Sequence, residues 1–274
     1  MTVFDSVAGH YGRPGLEQEI LAALEISQGT VDIDGLASVD EFHSGGRQAT
    51  AALTAQLDLQ PENHVLDVGS GIGGTARFIA STYGCRVTGI DLTEEFVETA
   101  RALTDHVGLA DRVTFRQASA LELPFPAASF DAVCMLHVGM NIEDKDTLFA
   151  ELARVLRPRG ICGIYDVMRS GQGELSYPVP WANSPAISFL ADLGTYRSCL
   201  TRAGLVVTSV RDWTDAVLEF GRAAQAGPSE QGRPWPGSDL LMGEDFSDKR
   251  TNVVNALRRG VIAPTEIIAT RPSS

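Results

Sequence analysis

The stretch HVLDVGSGIGG, residues His64 to Gly74, constrains this chain more than any other, because a short apolar run ends in a turn carrying Gly69, Gly71, Gly73 and Gly74. Glycine loses more backbone freedom on folding than any other residue, so a cluster after an apolar run marks a backbone that turns sharply or is approached closely by a ligand. Gly69, Gly71 and Gly74 also satisfy the spacing of a strand-to-helix nucleotide turn, a weak pattern until its surroundings are read.

Those surroundings repeat. HVLDV is followed by a helical pattern from about Gly74, then by the strand-like RVTGIDL and the helical TEEFVETARALTDHVG, whose Thr93 is placed to cap it. RVTFRQ, FDAVCML and GICGIYDV read as three further buried strands. KDTLFAELARVLRP lies between the last two as a helix, its end marked by Pro158 and Gly160. LVVTSVRDW and PTEIIATRP read as closing strands, separated by the helical DAVLEFGRAAQ and DKRTNVVNALRRG. Strands alternating with helices imply right-handed crossovers and a parallel sheet covered on both faces. The expected architecture is therefore α/β and doubly wound. Residues 1–60 are expected to form a helical N-terminal cap or lid, and 61–274 the core, with a substrate-covering insertion around 171–190.

Composition narrows the partners. A net charge of −13 opposes binding to a phosphate backbone, and no basic patch offsets it, so a small-molecule substrate is expected rather than nucleic acid. No apolar run approaches the roughly 18 residues of a membrane span, and the N-terminal residues lack a signal-peptide pattern; a cytoplasmic location away from membranes is the expectation. Cys85, Cys134, Cys162 and Cys199 are scattered without a CxxC pair, which argues against a metal site. Oligomeric state is not legible.

A doubly wound sheet binds its ligand at the carboxyl ends of its strands, where this glycine turn lies. Asp67, still on the strand, poorly suits a pyrophosphate and better suits an ammonium group. Asp91, at the end of the second strand, is spaced to accept ribose hydroxyls; its other reading is a helix cap.

VLDVGSGIGG, VTGIDL, FRQASALELPFPAASFDAV and LARVLRPRGICGIYDV, in this order and spacing, resemble the seven-stranded S-adenosylmethionine (SAM)-dependent methyltransferases, in particular the branch of quinone-biosynthesis, tocopherol and small-amine enzymes. The resemblance implies a Rossmann-like sheet of seven strands, mostly parallel, with PTEIIATRP antiparallel between the fifth and sixth. It implies SAM as cofactor, S-adenosylhomocysteine as product, and direct in-line methyl transfer to nitrogen, oxygen or carbon of a small metabolite. Gly69, Ser70, Gly71 and Gly73 would pack against the methionine part, with Asp67 fixing the turn or receiving the amino group. Asp91 would take the ribose, and Leu92 would touch the adenine. Ser119 stands where many relatives carry Asp, so adenine recognition would lean on the main chain of Ala118 and Ala120. Two other readings are a SAM-binding protein that catalyses a non-methylating reaction such as a cyclisation, and a nicotinamide-dependent oxidoreductase on the same sheet.

LHVGMN, Leu136 to Asn141, would face the transferable methyl. His137 is the candidate base, or else a neutral histidine shaping the pocket. Asn141 would hold a polar group of the substrate or cap the next helix. In VDEFHSGGRQAT, Ser44 and Gly45, with Gly46, would offer amides to the SAM carboxylate and His43 would face the substrate; the plainer reading is a helix start capped by Ser44. Tyr11 would close over the cofactor or anchor the terminus. Tyr177 and Trp181 would wall the substrate or tether the insertion, and Arg47 and Arg169 would pair a carboxylate or simply be solvated.

Overall fold

The computed structural model describes residues 15–28, 31–226 and 245–273. Seven strands, β1 (His64–Val68), β2 (Arg86–Asp91), β3 (Val113–Gln117), β4 (Phe130–Leu136), β5 (Leu156–Arg169), β6 (Val206–Asp212) and β7 (Ile262–Thr270), form one sheet in the order β3-β2-β1-β4-β5-β7-β6. β1 to β5 pair in parallel and β7 runs antiparallel to both β5 and β6, as the resemblance implies. The central strands read as continuous apolar runs because both faces of the sheet are covered.

The covering helices are α1 (Leu16–Gln28), α2 (Ile33–Asp40), α3 (Gly46–Thr54), α4 (Gly74–Tyr83), α5 (Glu94–His106), α6 (Lys145–Val155), α7 (Leu193–Arg202), α8 (Thr214–Ala226) and α9 (Phe246–Arg258). α1 and α2 bury Leu16, Ile20, Leu24, Leu36 and Val39 against Ile72, Phe96 and Leu103, which sets the N-terminal helices over the glycine turn and α5. Beneath that contact Arg77 is wholly buried and donates to Asp40 Oδ2 at 2.7 Å, to the Ile72 carbonyl at 2.7 Å and to Thr104 Oγ1 at 2.9 Å. One guanidinium thus joins α2, α4, α5 and the turn.

One local reading changes, and one helix goes unread in the sequence. α6 stops at Val155 and the chain enters β5 at once, so Pro158 and Gly160 lie inside the strand rather than marking the helix end. They sit where the β4–β5 register slips between Phe130 and Ala132, a break in the ladder that needs no proline N–H. α7 carries no marked apolar stripe in sequence; the Asp192 side chain starts it by accepting from Thr195 N at 2.7 Å, and Tyr196 and Leu200 bury its inner face. Among the described residues, no helix is long and apolar enough to cross a membrane.

Candidate functional site

A cavity of about 510 Å³ opens at the carboxyl ends of β1, β2 and β4, beneath the α2–α3 connection and the insertion. Its size is ordinary for a small-molecule site. Asp67, Gly69, Ser70, Gly71, Asp91, Leu92, Ala118, Ser119, Ala120 and Leu136 all line it, together with His43, His137, Asn141 and Trp181.

Gly69 has φ +69°, and a Cβ there would stand 2.3 Å from Val138 Cγ2. No side chain fits, because the loop after β4 presses onto the turn at this point. Gly73 has φ +92°, and its Cβ would strike Phe115 at 2.6 Å and Arg77 at 2.7 Å. Gly73 is outside the cavity lining, and the space a side chain would need there is filled by Phe115 and Arg77. The Gly71 amide donates to Asp91 Oδ2 at 2.9 Å while Thr93 N donates to Asp91 Oδ1 at 2.9 Å. One carboxylate thus ties the turn to the residue that precedes α5 and keeps further lone pairs free. Thr93 itself makes no side-chain cap.

Asp67 is buried beside the turn, with Cys134 Sγ donating to its Oδ1 at 3.5 Å and Oδ2 unpartnered. Burial pushes its carboxyl up to about 7. Ser70 Oγ is also buried without a partner. Two unpaired polar atoms against a bare backbone fit a ligand that brings an ammonium group, whereas an apolar ligand would leave both unsatisfied. Beyond the end of β3, the Ala118 amide donates to the Asp91 carbonyl at 2.9 Å, and Ser119 Oγ accepts from Leu121 N at 3.2 Å. Of the main-chain groups of Ala118, the amide is thus engaged within the fold.

The loop after β4 is clamped by a residue that the sequence reading passed over. Asp166, fully buried, accepts from Val138 N at 2.8 Å, Gly139 N at 3.1 Å and the Tyr196 hydroxyl at 2.9 Å. Its only sequence signal is an acidic residue near the end of a buried strand. His137 consequently sits at φ +56°, a conformation rare outside glycine, and donates its amide to the Tyr165 carbonyl at 2.7 Å. Burial keeps its imidazole neutral, with its pKa well below the usual range. Its ring lies 5.8 Å from that of His43, centroid to centroid, and 5.2 Å from Tyr165.

Asn141 Nδ2 donates to the Trp181 carbonyl at 2.7 Å, so Asn141 fastens the loop to the insertion while Asp144 caps α6. Trp181 is 3% exposed, faces the cavity and is pinned by its Nε1–H donating to Ser188 Oγ at 3.0 Å. Tyr177 instead packs against the apolar cluster that ties the insertion to α9, outside the cavity lining. Lys145 Nζ donates to the Phe189 carbonyl at 2.9 Å and to that of Ile142, a second tie across the same seam.

Ser44 and Gly45 do not line the cavity. Gly45 is buried at the start of α3, where a Cβ would meet Ala49, Tyr165 and Val217; it, not Ser44, takes the cap position, in a left-handed conformation and with no side-chain cap. Arg47 pairs with Glu41 at 2.8 Å and lies over Phe78, and Arg169 donates to the Gly173 carbonyl at 2.7 Å; neither faces the cavity. Tyr11 lies outside the described residues.

A family described as a methyltransferase domain matches residues 66–164. The methyltransferase GfsG of Streptomyces halstedii is 36% identical over 189 residues, 68% of this chain and 68% of that protein. A glycine/sarcosine/dimethylglycine N-methyltransferase of Actinopolyspora halophila is 28% identical over 187 residues, covering 68% of this chain but 33% of that protein. This chain therefore matches about a third of that relative's length. A solved geranyl diphosphate methyltransferase in complex with SAM shares the fold with a TM-score of 0.67 and 20% identity, covering 97% of this chain and 94% of that one.

Proposed function

The chain belongs to the methyltransferase family, and from that premise we propose that its cavity holds SAM and passes the methyl group to a small-molecule acceptor seated under the insertion. The observation that carries the assignment is the pair of carboxylates flanking the bare turn: Asp67, with a buried unpaired oxygen, for the ammonium end and Asp91 for the ribose. Bound there, SAM supplies a methyl carbon made electrophilic by its sulfonium. Leu92 and Ala120 would hold the adenine, and the backbone of the Gly69–Gly71 turn the methionine part.

The chain's contribution to the reaction is alignment, which in well-oriented systems is worth effective molarities of about 10⁵ M or more. Phe42, Met140, Ile142, Pro180 and Trp181 supply an apolar wall beside His43 and His137. Asp40, Asp67, Asp91, Glu143 and Asp144 line the cavity, and among the described residues no lysine or arginine does. That balance favours an uncharged or cationic acceptor and disfavours a phosphate or diphosphate, which would enter without a counter-charge.

Incubation with methyl-labelled SAM and separate secondary amines, a hydroquinone and a prenyl diphosphate tests this reading. Label is expected in an amine or the hydroquinone and not in the diphosphate. Binding of S-adenosylhomocysteine with conversion of a substrate but no label transfer would replace it with a cyclisation-type activity; stabilisation by NAD alone would remove the cofactor assignment.

A pH dependence follows from Asp67. Its carboxyl in the free protein titrates near 7, above the usual range, and an arriving ammonium favours the ionised form. Below pH 7 binding must expel a proton, so affinity for S-adenosylhomocysteine should rise about tenfold per pH unit up to pH 7. It should level off there and hold above it, because the ammonium of a free amino acid beside its own carboxylate keeps its proton to higher pH than a chain terminus does. Calorimetry across pH 5.5–8.5 reads this; a slope retained in Asp67→Asn would assign it to another group.

A further inference from the structure

Two imidazoles face the cavity, but only one has a hydrogen-bonded way out. His137 Nε2 is buried without a partner, so a proton taken there has no onward step from that nitrogen. His43 Nε2 lies 3.1 Å from Thr50 Oγ1, and Thr50 Oγ1 lies 2.5 Å from Glu41 Oε2. The Glu41 side chain is 1% exposed and His43 is 9% exposed, so the chain of three is screened from bulk water. Its far end meets Arg47 Nε at 2.8 Å, a side chain that is 25% exposed.

We propose that the proton released by the methyl acceptor leaves the cavity through His43 and Thr50 to the Glu41 carboxylate. This rests on the methyl-transfer reading above. With Glu41 ionised, Thr50 donates its hydroxyl proton to Oε2 and accepts from His43 Nε2–H, which leaves His43 Nδ1 as the basic nitrogen. The acceptor's lone pair forms the new bond to the methyl carbon as the sulfur–methyl bond breaks and its electron pair stays on sulfur. The acceptor's proton moves to Nδ1, the Nε2 proton moves to Thr50 Oγ1, and the Thr50 proton moves to Glu41. One proton has entered and one carboxylate has become a carboxylic acid; His43 ends as the other neutral tautomer, accepting from Thr50. Glu41 then yields its proton to water at the edge beside Arg47.

The surroundings suit the two ends to different tasks. Glu41 is faced by Asp40 before it in the chain, by His43, and by Arg47 and Thr50 from α3, with Asp34 contacting Arg47 at 3.8 Å. Burial, with the neighbouring Asp40, pushes its carboxyl up to about 7, so it can hold a proton at neutral pH and release it. Burial pushes His43 down to about 4, so it passes a proton on rather than keeping it. A helix cap or a structural ion pair would require neither the threonine link nor the imidazole at its end.

The test is the His43 tautomer, read by ¹⁵N NMR on the full chain saturated with S-adenosylhomocysteine. His43 is identified among the five histidines by a His43→Gln spectrum. His43 should change from the Nδ1–H to the Nε2–H form as pH rises, with a midpoint near 7 set by Glu41. The change should vanish in Glu41→Gln and Thr50→Val and survive in Thr50→Ser. A pH-invariant tautomer in the wild type, or a change that persists in Thr50→Val, overturns the proposal; if Glu41→Gln does not fold, the two threonine variants decide it. Failure of the chain to bind S-adenosylhomocysteine would overturn the methyl-transfer reading instead, and the same titration of the free chain would still report the coupling.

Discussion

Arg77→Ala should lower the free energy of unfolding by about 3–5 kcal/mol, a change as large as removing a sizeable core side chain. Arg77 is wholly buried, and besides Asp40 it serves the carbonyls of Ile72 and Ala100 and the Thr104 hydroxyl. Alanine removes all these donors and leaves the Asp40 carboxylate, 7% exposed, in an apolar seam without its counter-charge. Breaking one partner of such a pair is much costlier than replacing both, because the survivor keeps its full desolvation penalty. The double variant Asp40→Asn with Arg77→Met should therefore recover a large part of the loss. Urea unfolding measures both; a single-variant loss below about 1 kcal/mol would mean that water or a rearranged side chain reaches Asp40. The damage should extend to the cavity, since Asp40 lines it and the Asp40 carbonyl lies 2.5 Å from the place a Gly74 Cβ would occupy.

What could be read from sequence divides along a physical line. The sheet was legible because parallel strands buried on both faces leave long apolar runs, and its order was carried by four motifs in register with the strand ends. That Asp67, Asp91 and the glycine turn line the cavity was legible because their positions are local, set within a few residues of two strand ends. Asp166 was not, since its partners Val138, Gly139 and Tyr196 are distant in sequence and meet only when β4, β5 and α7 pack together. The same holds for Glu41, whose charge looks like a solvated residue in an acidic stretch until α3 folds back and supplies Thr50. Ser44 and Gly45 erred in the other direction: a small-residue turn ahead of a helix has one appearance whether its amides face a ligand or the core. Asn141 and Trp181 were placed near the site by sequence, but their bond to each other fixes the wall, which no spacing rule conveys.

Asp91→Ala should weaken binding of S-adenosylhomocysteine by more than 100-fold. Hydrogen bonds to a charged group contribute about 1.5–3 kcal/mol each, so losing two ribose contacts removes about 3–6 kcal/mol. The difficulty is that Asp91 also holds Gly71 N and Thr93 N, each at 2.9 Å, so the variant loosens the turn as well as the ribose site. Asparagine does not separate the two effects, because its amide nitrogen would face one of those backbone donors with no lone pair to offer. The ligand can separate them. A 2′,3′-dideoxy analogue of S-adenosylhomocysteine should bind the wild type more weakly by the ribose contribution alone, and Asp91→Ala should bind both ligands with nearly equal affinity. The coupling between the two changes is the ribose term, and what remains of the variant's loss belongs to the turn. If the analogue loses as much in Asp91→Ala as in the wild type, Asp91 braces Gly71 and Thr93 without touching the sugar, and the ribose must be held by other groups at the end of β2.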